Sequence, residues 1–199
     1  MKFYINHQES YSRLELLLRT FVGWIYIAIP HFILIYILTI AVTFCQLASF
    51  FIILFTGKYP KSIWEFIVKV QNYTLRVTAT LINLADGYPE FGLSGSHHNI
   101  EFYLPYNEKV SRLRLLTRVL FGWIILMPHF VILFVRFMIQ YFIMVIAWFT
   151  VLFIGKYPKP MFSFIEENMR WQMRIYCWWY FFTNGYPPFT GKVLNNDIK

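Results

Sequence analysis

Two stretches of this chain lack the polar interruptions that a water-exposed helix needs. Between Thr20 and Gly57 there is no Asp, Glu, Lys or Arg, and between Val119 and Ile154 there is only Arg136. At ~1.5 Å per residue a helix through either block would reach roughly 55 Å, against a hydrocarbon core of about 30 Å. One upright span cannot use that length. The pattern predicts either a hairpin of two short helices within each block, transmembrane or re-entrant, or a single tilted helix entered through an interfacial stretch ahead of Pro30 or Pro128.

Behind each block the pattern changes to a period of three to four residues. Glu65, Lys69, Asn72, Arg76, Thr80 and Asn83 mark one face, and Ile63, Phe66, Ile67, Val70, Val77, Leu81 and Leu84 the other. This predicts an amphipathic helix with a favourable Glu65–Lys69 pair. The second block is followed by the same plan, with Ser163, Glu166, Glu167, Arg170 and Arg174 against Phe162, Ile165, Met169, Met173 and Trp178. Gly87 and Gly185 are expected to cap these helices, and Tyr88-Pro89 and Tyr186-Pro187 to block their continuation. Lys2 to Ile5 and Ile100 to Tyr106 read as short strands that can pair.

The two halves are copies. Ser12-Arg13-Leu14 returns as Ser111-Arg112-Leu113 and Gly23-Trp24 as Gly122-Trp123. Further on, Pro30-His31-Phe32 returns as Pro128-His129-Phe130, Gly57-Lys58-Tyr59-Pro60-Lys61 as Gly155-Lys156-Tyr157-Pro158-Lys159, and Gly87-Tyr88-Pro89 as Gly185-Tyr186-Pro187. The second copy has lost one residue between its tryptophan and its proline. The expected organisation is a first module over 1–91, a linker over 92–99 containing His97-His98, and a second module over 100–199. The fold class is an all-α membrane protein of two tandem repeats, each a helical hairpin followed by an amphipathic helix on the cytoplasmic face.

Composition supports lipid as the solvent: with 58% hydrophobic and 22% aromatic residues, the chain has more apolar surface than a soluble domain of 199 residues can bury. The net charge of +8 comes from residues flanking the blocks, which argues for an anionic membrane surface and against nucleic acid. Seventeen of the 18 Lys and Arg residues lie outside the blocks. Hairpins place the N-terminal, middle and C-terminal basic segments together on the cytoplasmic side, with both termini, and are therefore favoured over single spans. Arg136 then falls near the far-side turn, snorkelling to water, where the first copy has Leu38. The first block is read as mature protein, not as a cleaved signal. Cys45 and Cys177 do not correspond between copies and predict neither a disulfide nor a thiolate site.

A basic Ser-Arg-Leu, a Pro-His in an apolar run, Phe55-Thr56-Gly57-Lys58-Tyr59-Pro60, an Arg-bearing aromatic helix and the closing Gly185-Tyr186-Pro187-Pro188-Phe189 resemble a widespread bacterial membrane family that carries the label of a domain of unknown function. The resemblance covers nearly the whole chain, twice. Glu90 departs from it where the second copy has Pro188, and Ile154 departs where the first has Thr56. It implies an integral protein of the bacterial inner membrane and no activity, cofactor or catalytic residue.

His31 and His129 are the residues that look most like chemistry, since an ionisable side chain inside an apolar block is a candidate for proton transfer, metal binding or polar substrate contact. The simpler reading is a neutral imidazole bonded to a carbonyl freed by the neighbouring proline. No carboxylate or thiol recurs nearby, so no metal site or catalytic residue is expected. Lys58, Tyr59, Lys61, Lys156, Tyr157 and Lys159, with Arg76 and Arg174, form the expected basic rim for phospholipid headgroups. Arg13, Arg19, Arg112 and Arg118 read as solvated or headgroup-facing charges. The expected function is a non-catalytic scaffold or accessory subunit of an inner-membrane complex, bound to anionic lipids and to a membrane-protein partner or a second copy. A conduit formed by an oligomer and a lipid-modifying enzyme using the two histidines are the alternatives.

Overall fold

The computed structural model describes residues 1–97 and 99–194; His98 of the expected His97-His98 pair lies outside the described residues. Strand β1 (Lys2–Ile5) leads to helix α1 (Arg13–Phe21), a π-helical turn (Trp24–Ala28) and helix α2 (Ile29–Thr56). Helix α3 (Lys61–Leu81) closes the first repeat. Strand β2 (Ile100–Tyr103), helix α4 (Arg112–Ile154) and helix α5 (Lys159–Trp179) form the second.

The apolar blocks are not hairpins. Each runs as one rod, and α4 alone has 43 residues, about 65 Å of helix. The interior of neither block carries a turn signal: Pro30 falls in the first turn of α2, and Pro128 is absorbed inside α4. Leu38 and Arg136 are consequently mid-helix, not at a turn. The reversal comes later, where Gly57 (φ 72°) and Gly155 (φ 76°) end the rods in the left-handed conformation that glycine adopts without steric cost. After each reversal α3 packs on α2 and α5 on α4. Two helices, Trp24–Thr56 and Arg112–Ile154, are long and apolar enough to cross a membrane.

Helices α3 and α5 also depart from expectation. Only their first halves are amphipathic at a surface; beyond Val70 and Asn168 nearly the whole circumference is buried, including Arg76, Thr80, Arg170 and Arg174. They form the protein's core instead of lying along a membrane face. They also end six residues before Gly87 and Gly185. Asn83 (φ 59°) and Phe181 (φ 63°) take the left-handed position. Leu84 N–H then donates to Ala79 O and Phe182 N–H to Cys177 O, closing two Schellman motifs. Burial of Leu84 and Phe182 beneath the last turn favours these earlier stops.

The repeats hold each other. Strands β1 and β2 pair antiparallel as expected, with Phe3 opposite Phe102, its own counterpart, so a pseudo-twofold passes through that pair. From the sheet each arm runs to the far end of the other repeat. Tyr11 N–H donates to Gly155 O (2.9 Å), as Val110 N–H does to Gly57 O (3.0 Å). Arg13 Nη2 reaches Phe153 O (3.1 Å), as Arg112 Nη2 reaches Phe55 O (2.8 Å). The start of each long rod therefore sits at the end of the other, and the two run antiparallel. Core clusters follow the exchange: Tyr11 and Leu16 pack with Tyr157 and Phe162, and Val110 and Leu115 with Tyr59 and Trp64.

The single-residue difference between copies is visible as geometry. The first repeat has one more residue between tryptophan and proline, and there Ile29 N–H bonds Trp24 O in a π turn, while α4 stays α-helical throughout. The wider turn takes up the extra residue, so that Gly23 and His31 keep the same relation as Gly122 and His129. Deleting Ile25 should therefore convert the π turn to a continuous α-helix with little loss of thermal stability. Deleting Ile125 from α4 should rotate all that precedes it by about 100° and unfold or severely destabilise the protein. Melting of the two deletion variants in detergent compares them directly.

Candidate functional site

His31 and His129 occupy equivalent aromatic cages and are both fully buried. Around His31 stand Tyr73 from α3, then Tyr88 and Phe91 from the tail behind it; around His129 stand Trp171 from α5, then Tyr186 and Phe189. The expected bond to a proline-freed carbonyl is absent: the ring nitrogens meet side chains. His31 Nδ1 lies 2.6 Å from Tyr73 Oη and Nε2 lies 3.0 Å from Tyr88 Oη. Each tyrosine hydroxyl can donate or accept, so either tautomer is served; with the Tyr88 hydroxyl turned to Tyr26 O (3.4 Å), Nε2–H donates to Tyr88 and Nδ1 accepts from Tyr73. In the second cage His129 Nδ1 accepts from the Trp171 indole N–H (2.9 Å), which places the proton of the neutral ring on Nε2. Its Nε2 is buried without a hydrogen-bond partner, since Tyr186 Oη donates to Ile125 O instead.

These partners decide what the histidines can do. An indole N–H only donates, so His129 cannot take a second proton at Nδ1 without breaking that bond. The cage thus favours a neutral ring stacked flat on Phe189, with centroids 4.1 Å apart. Tyr73 can reverse its hydroxyl, which leaves His31 the more adaptable of the two. No group of three or more His, Cys, Asp or Glu side chains that could hold a metal occurs among the described residues.

The residues expected at a lipid rim separate into two groups. Lys58, Lys61, Lys156 and Lys159 are exposed at the two reversals; Lys58 pairs with Glu108 (2.6 Å) and Lys61 with Glu65 (3.8 Å). Tyr59 and Tyr157 point inward and are 1% and 3% exposed. Arg76 and Arg174 are also withdrawn from the rim. Arg76 Nη2 donates to Gly92 O (2.7 Å), and Arg174 donates to Thr190 O and to Lys192 O (2.7 Å). They clamp the tails that carry Phe91 and Phe189 over the cages. Arg136 is likewise not a snorkelling charge. Its guanidinium sits in the α4–α5 seam on Asn168 Oδ1 (2.5 Å) and Glu167 (3.4 Å), over the Phe164 ring.

Arg19 and Arg118, read as solvated charges, are 7% and 4% exposed. Arg19 is fully answered: Nε donates to Glu15 O, Nη1 to Ala85 O and Thr80 O, and Nη2 to the Asp86 carboxylate (2.5 Å). Among the described residues Arg118 donates only to the backbone oxygens of Trp178 (2.8 Å) and Asn184 (3.1 Å), and it stacks on Trp178. The signal for this difference was present in the repeat itself, where Asp86 aligns with Asn184 and Glu15 with Arg114. The cage aromatics were less legible, because Tyr73, Trp171, Phe91 and Phe189 look like ordinary apolar positions until the tails fold back.

The model of a family described as a domain of unknown function, DUF4389, matches residues 14–92 and again 114–191, and the chain belongs to that family as a tandem duplication. No curated protein and no solved structure matches the chain.

The tail over the second cage makes one close approach: a Cβ on Gly191 would lie 1.9 Å from Glu167 O, and Gly191 O is the acceptor for Arg170 Nη1. Gly191→Ala should dislodge this tail and expose His129 and Trp171, seen as faster proteolysis around residues 185–194 and a red-shifted tryptophan emission. Gly185→Ala, with nothing within 4 Å of the added carbon, should leave both readouts at the wild-type value.

Proposed function

Because membership in this family assigns no activity, we propose from the geometry that the chain is a non-catalytic membrane scaffold or accessory subunit, with anionic lipid at its lysine rim. The observation that carries this reading is the apolar stripe left open along both long rods. On α2 it runs through Ile29, Ile33, Tyr36, Ile40, Phe44, Leu47, Phe51 and Phe55 at helical spacing, and Phe55 is still 74% exposed at its end. On α4 the open face runs from Leu113, 75% exposed, to Ile154. A stripe of this length exceeds what a soluble monomer leaves uncovered, and lipid is the solvent that fits it.

The rods are roughly twice as long as a hydrocarbon core is thick, and the Arg136–Glu167 pair lies near the middle of α4. An upright rod would place that pair, and the charged Lys2 and Glu101 of the sheet on the pseudo-twofold, at mid-bilayer, where each charge is costly. Rods lying at a shallow angle, with the open stripe in lipid and the sheet toward water, avoid this cost. They also keep both lysine-bearing reversals on one side, the bacterial cytoplasmic side if the basic excess decides orientation. The partner is a membrane protein or a second copy bound along the same apolar stripes. The caged histidines support a structural role in this reading, since each is neutral and enclosed.

Two measurements test it. Cysteines placed at Lys58 and at Lys156 should react with a membrane-impermeant maleimide from the same side of inverted or right-side-out vesicles; reaction from opposite sides would establish two spanning rods. Replacing Lys58, Lys61, Lys156 and Lys159 together by glutamine should lower the number of phosphatidylglycerol molecules retained in native mass spectrometry, each cation being worth about 1 kcal/mol at an anionic surface. Single replacements should change little, and unchanged retention in the quadruple variant would reduce the lysines to anchors.

A further inference from the structure

The two repeats share a fold but differ in charge balance around the buried arginine of the first turns, Arg19 in one and Arg118 in the other. Where the first repeat pairs Arg19 with the Asp86 carboxylate, and has Glu15 one turn earlier with its carboxylate on Gly87 N–H, the second sets Arg114 one turn before Arg118 and has the neutral Asn184 in place of the aspartate. Arg114 Nη1 and Arg118 Nη2 both converge on the backbone oxygen of Asn184 (3.2 and 3.1 Å), and neither guanidinium has a carboxylate within ion-pair distance among the described residues. A buried guanidinium has five N–H donors and a desolvation cost that two carbonyl oxygens do not offset.

Arg118 does not face solid protein. It lines a cavity of ≈ 570 Å³ between α2 and α4, together with Gln46, Phe50, Trp123, Trp179 and Tyr180. Gln46 Nε2 is buried there with no acceptor, while its Oε1 accepts from Tyr59 Oη. Trp123, Trp179 and Tyr180 also line a second, almost wholly apolar groove of ≈ 540 Å³ that continues along α4 past Phe130, Phe134 and Phe137. An unbalanced cation and an unanswered amide donor thus stand at the head of an aromatic channel that opens beside the lipid-facing stripe.

We propose that this junction is a specific site for one phosphate-bearing lipid, its phosphate on Arg118 and Gln46, with the exposed Arg114 one turn away adding positive charge, and one acyl chain in the groove along Phe130 to Phe137. The proposal rests on the membrane reading above but not on the lysine rim. Arg is suited to the phosphate because its planar fork matches the oxyanion's geometry, and a charge-assisted bond in a cavity is stronger than one at an exposed surface. The first repeat cannot form an equivalent site, because Asp86 already occupies Arg19.

Asn184→Asp is the decisive variant, since it supplies the carboxylate that the first repeat carries at the same place; it gives up the Asn184 Nδ2–H bond to Lys109 O (3.1 Å), so its melting temperature is read alongside. The probe is dioleoyl phosphatidylglycerol added to the purified full chain in mild detergent, read by native mass spectrometry at rising collision energy. The wild type should retain one lipid after the others are stripped, and Asn184→Asp should lower that retention by about tenfold or more, equivalent to the loss of one charge-assisted phosphate contact. Arg118→Gln should do the same, and Phe134→Trp, which fills the groove, should weaken retention without touching a charge. The quadruple lysine variant should keep this one lipid while losing the rest, so failure of the rim and failure of this site are told apart. Retention unchanged in Asn184→Asp with an undiminished melting temperature would overturn the proposal. Displacement of the last lipid by inorganic phosphate alone would also overturn it, by showing that the cavity takes a soluble anion.

Discussion

The bonds on which the rest of the structure depends are those between the arm of one repeat and the reversal of the other. A long helix leaves its last carbonyls without intrahelical partners, and each orphan must be answered from elsewhere in the chain or by solvent. Here Arg112 and Val110 answer Phe55 and Gly57, and Arg13 and Tyr11 answer Phe153 and Gly155. Cationic groups at a helix C-terminus also oppose the negative end of its dipole. Neither module can complete its own reversal. The antiparallel rods, the shared sheet and the mixed core clusters are the geometric consequences of that exchange.

Much of this was legible in the residues. The duplication, the apolar rods, the two helices behind them and the pairing of Lys2–Ile5 with the segment beginning at Ile100 all follow from pattern, and the structure has them. What pattern misplaced was the reversal. A block too long for one span was assigned an internal turn, although the nearest left-handed glycines were at its end. The amphipathic reading of α3 and α5 holds for their first halves and not beyond, for a related reason: Arg76, Arg170 and Arg174 look solvent-seeking in a periodic plot, yet each finds carbonyl oxygens supplied by a returning tail or arm. Periodicity cannot register partners that lie far along the chain. The Schellman closures at Asn83 and Phe181 were hidden in the same way, being decided by the burial of Leu84 and Phe182.

Comparing the copies with each other recovers information that neither gives alone. A one-residue offset between tryptophan and proline becomes a π turn, because the surrounding contacts hold both histidines in register and the helix must widen to fit. Where the backbone is thus kept equivalent, substitutions between copies stand out as local chemical changes. Some are apolar exchanges of similar size, such as Ile33 to Val131 and Leu75 to Met173, and others bring in charge, such as Leu38 to Arg136 and Asn72 to Arg170. The trio Glu15, Arg19 and Asp86 against Arg114, Arg118 and Asn184 stands apart from these, since it removes the carboxylate paired with an arginine that remains buried and sets a second arginine one turn away.

The histidines show how far burial alone can mislead about chemistry. An ionisable ring deep in an apolar block suggests a proton path, but a path needs a donor and an acceptor that can exchange roles. Trp171 only donates, so the second cage is locked in one tautomer by a partner that cannot change. Tyr73 and Tyr88 are more permissive, yet the hydrogen-bond chain they form ends on the Tyr26 backbone oxygen, which offers no onward proton. Both cages are closed by aromatic tails that Arg76 and Arg174 hold down, and the first-repeat arginine has its counterpart in the second at the same task. The pair of histidines is therefore best understood as the point where the tail, the core helix and the long rod of each repeat are fastened together. Polar atoms supply direction there, and the rings supply the contact area.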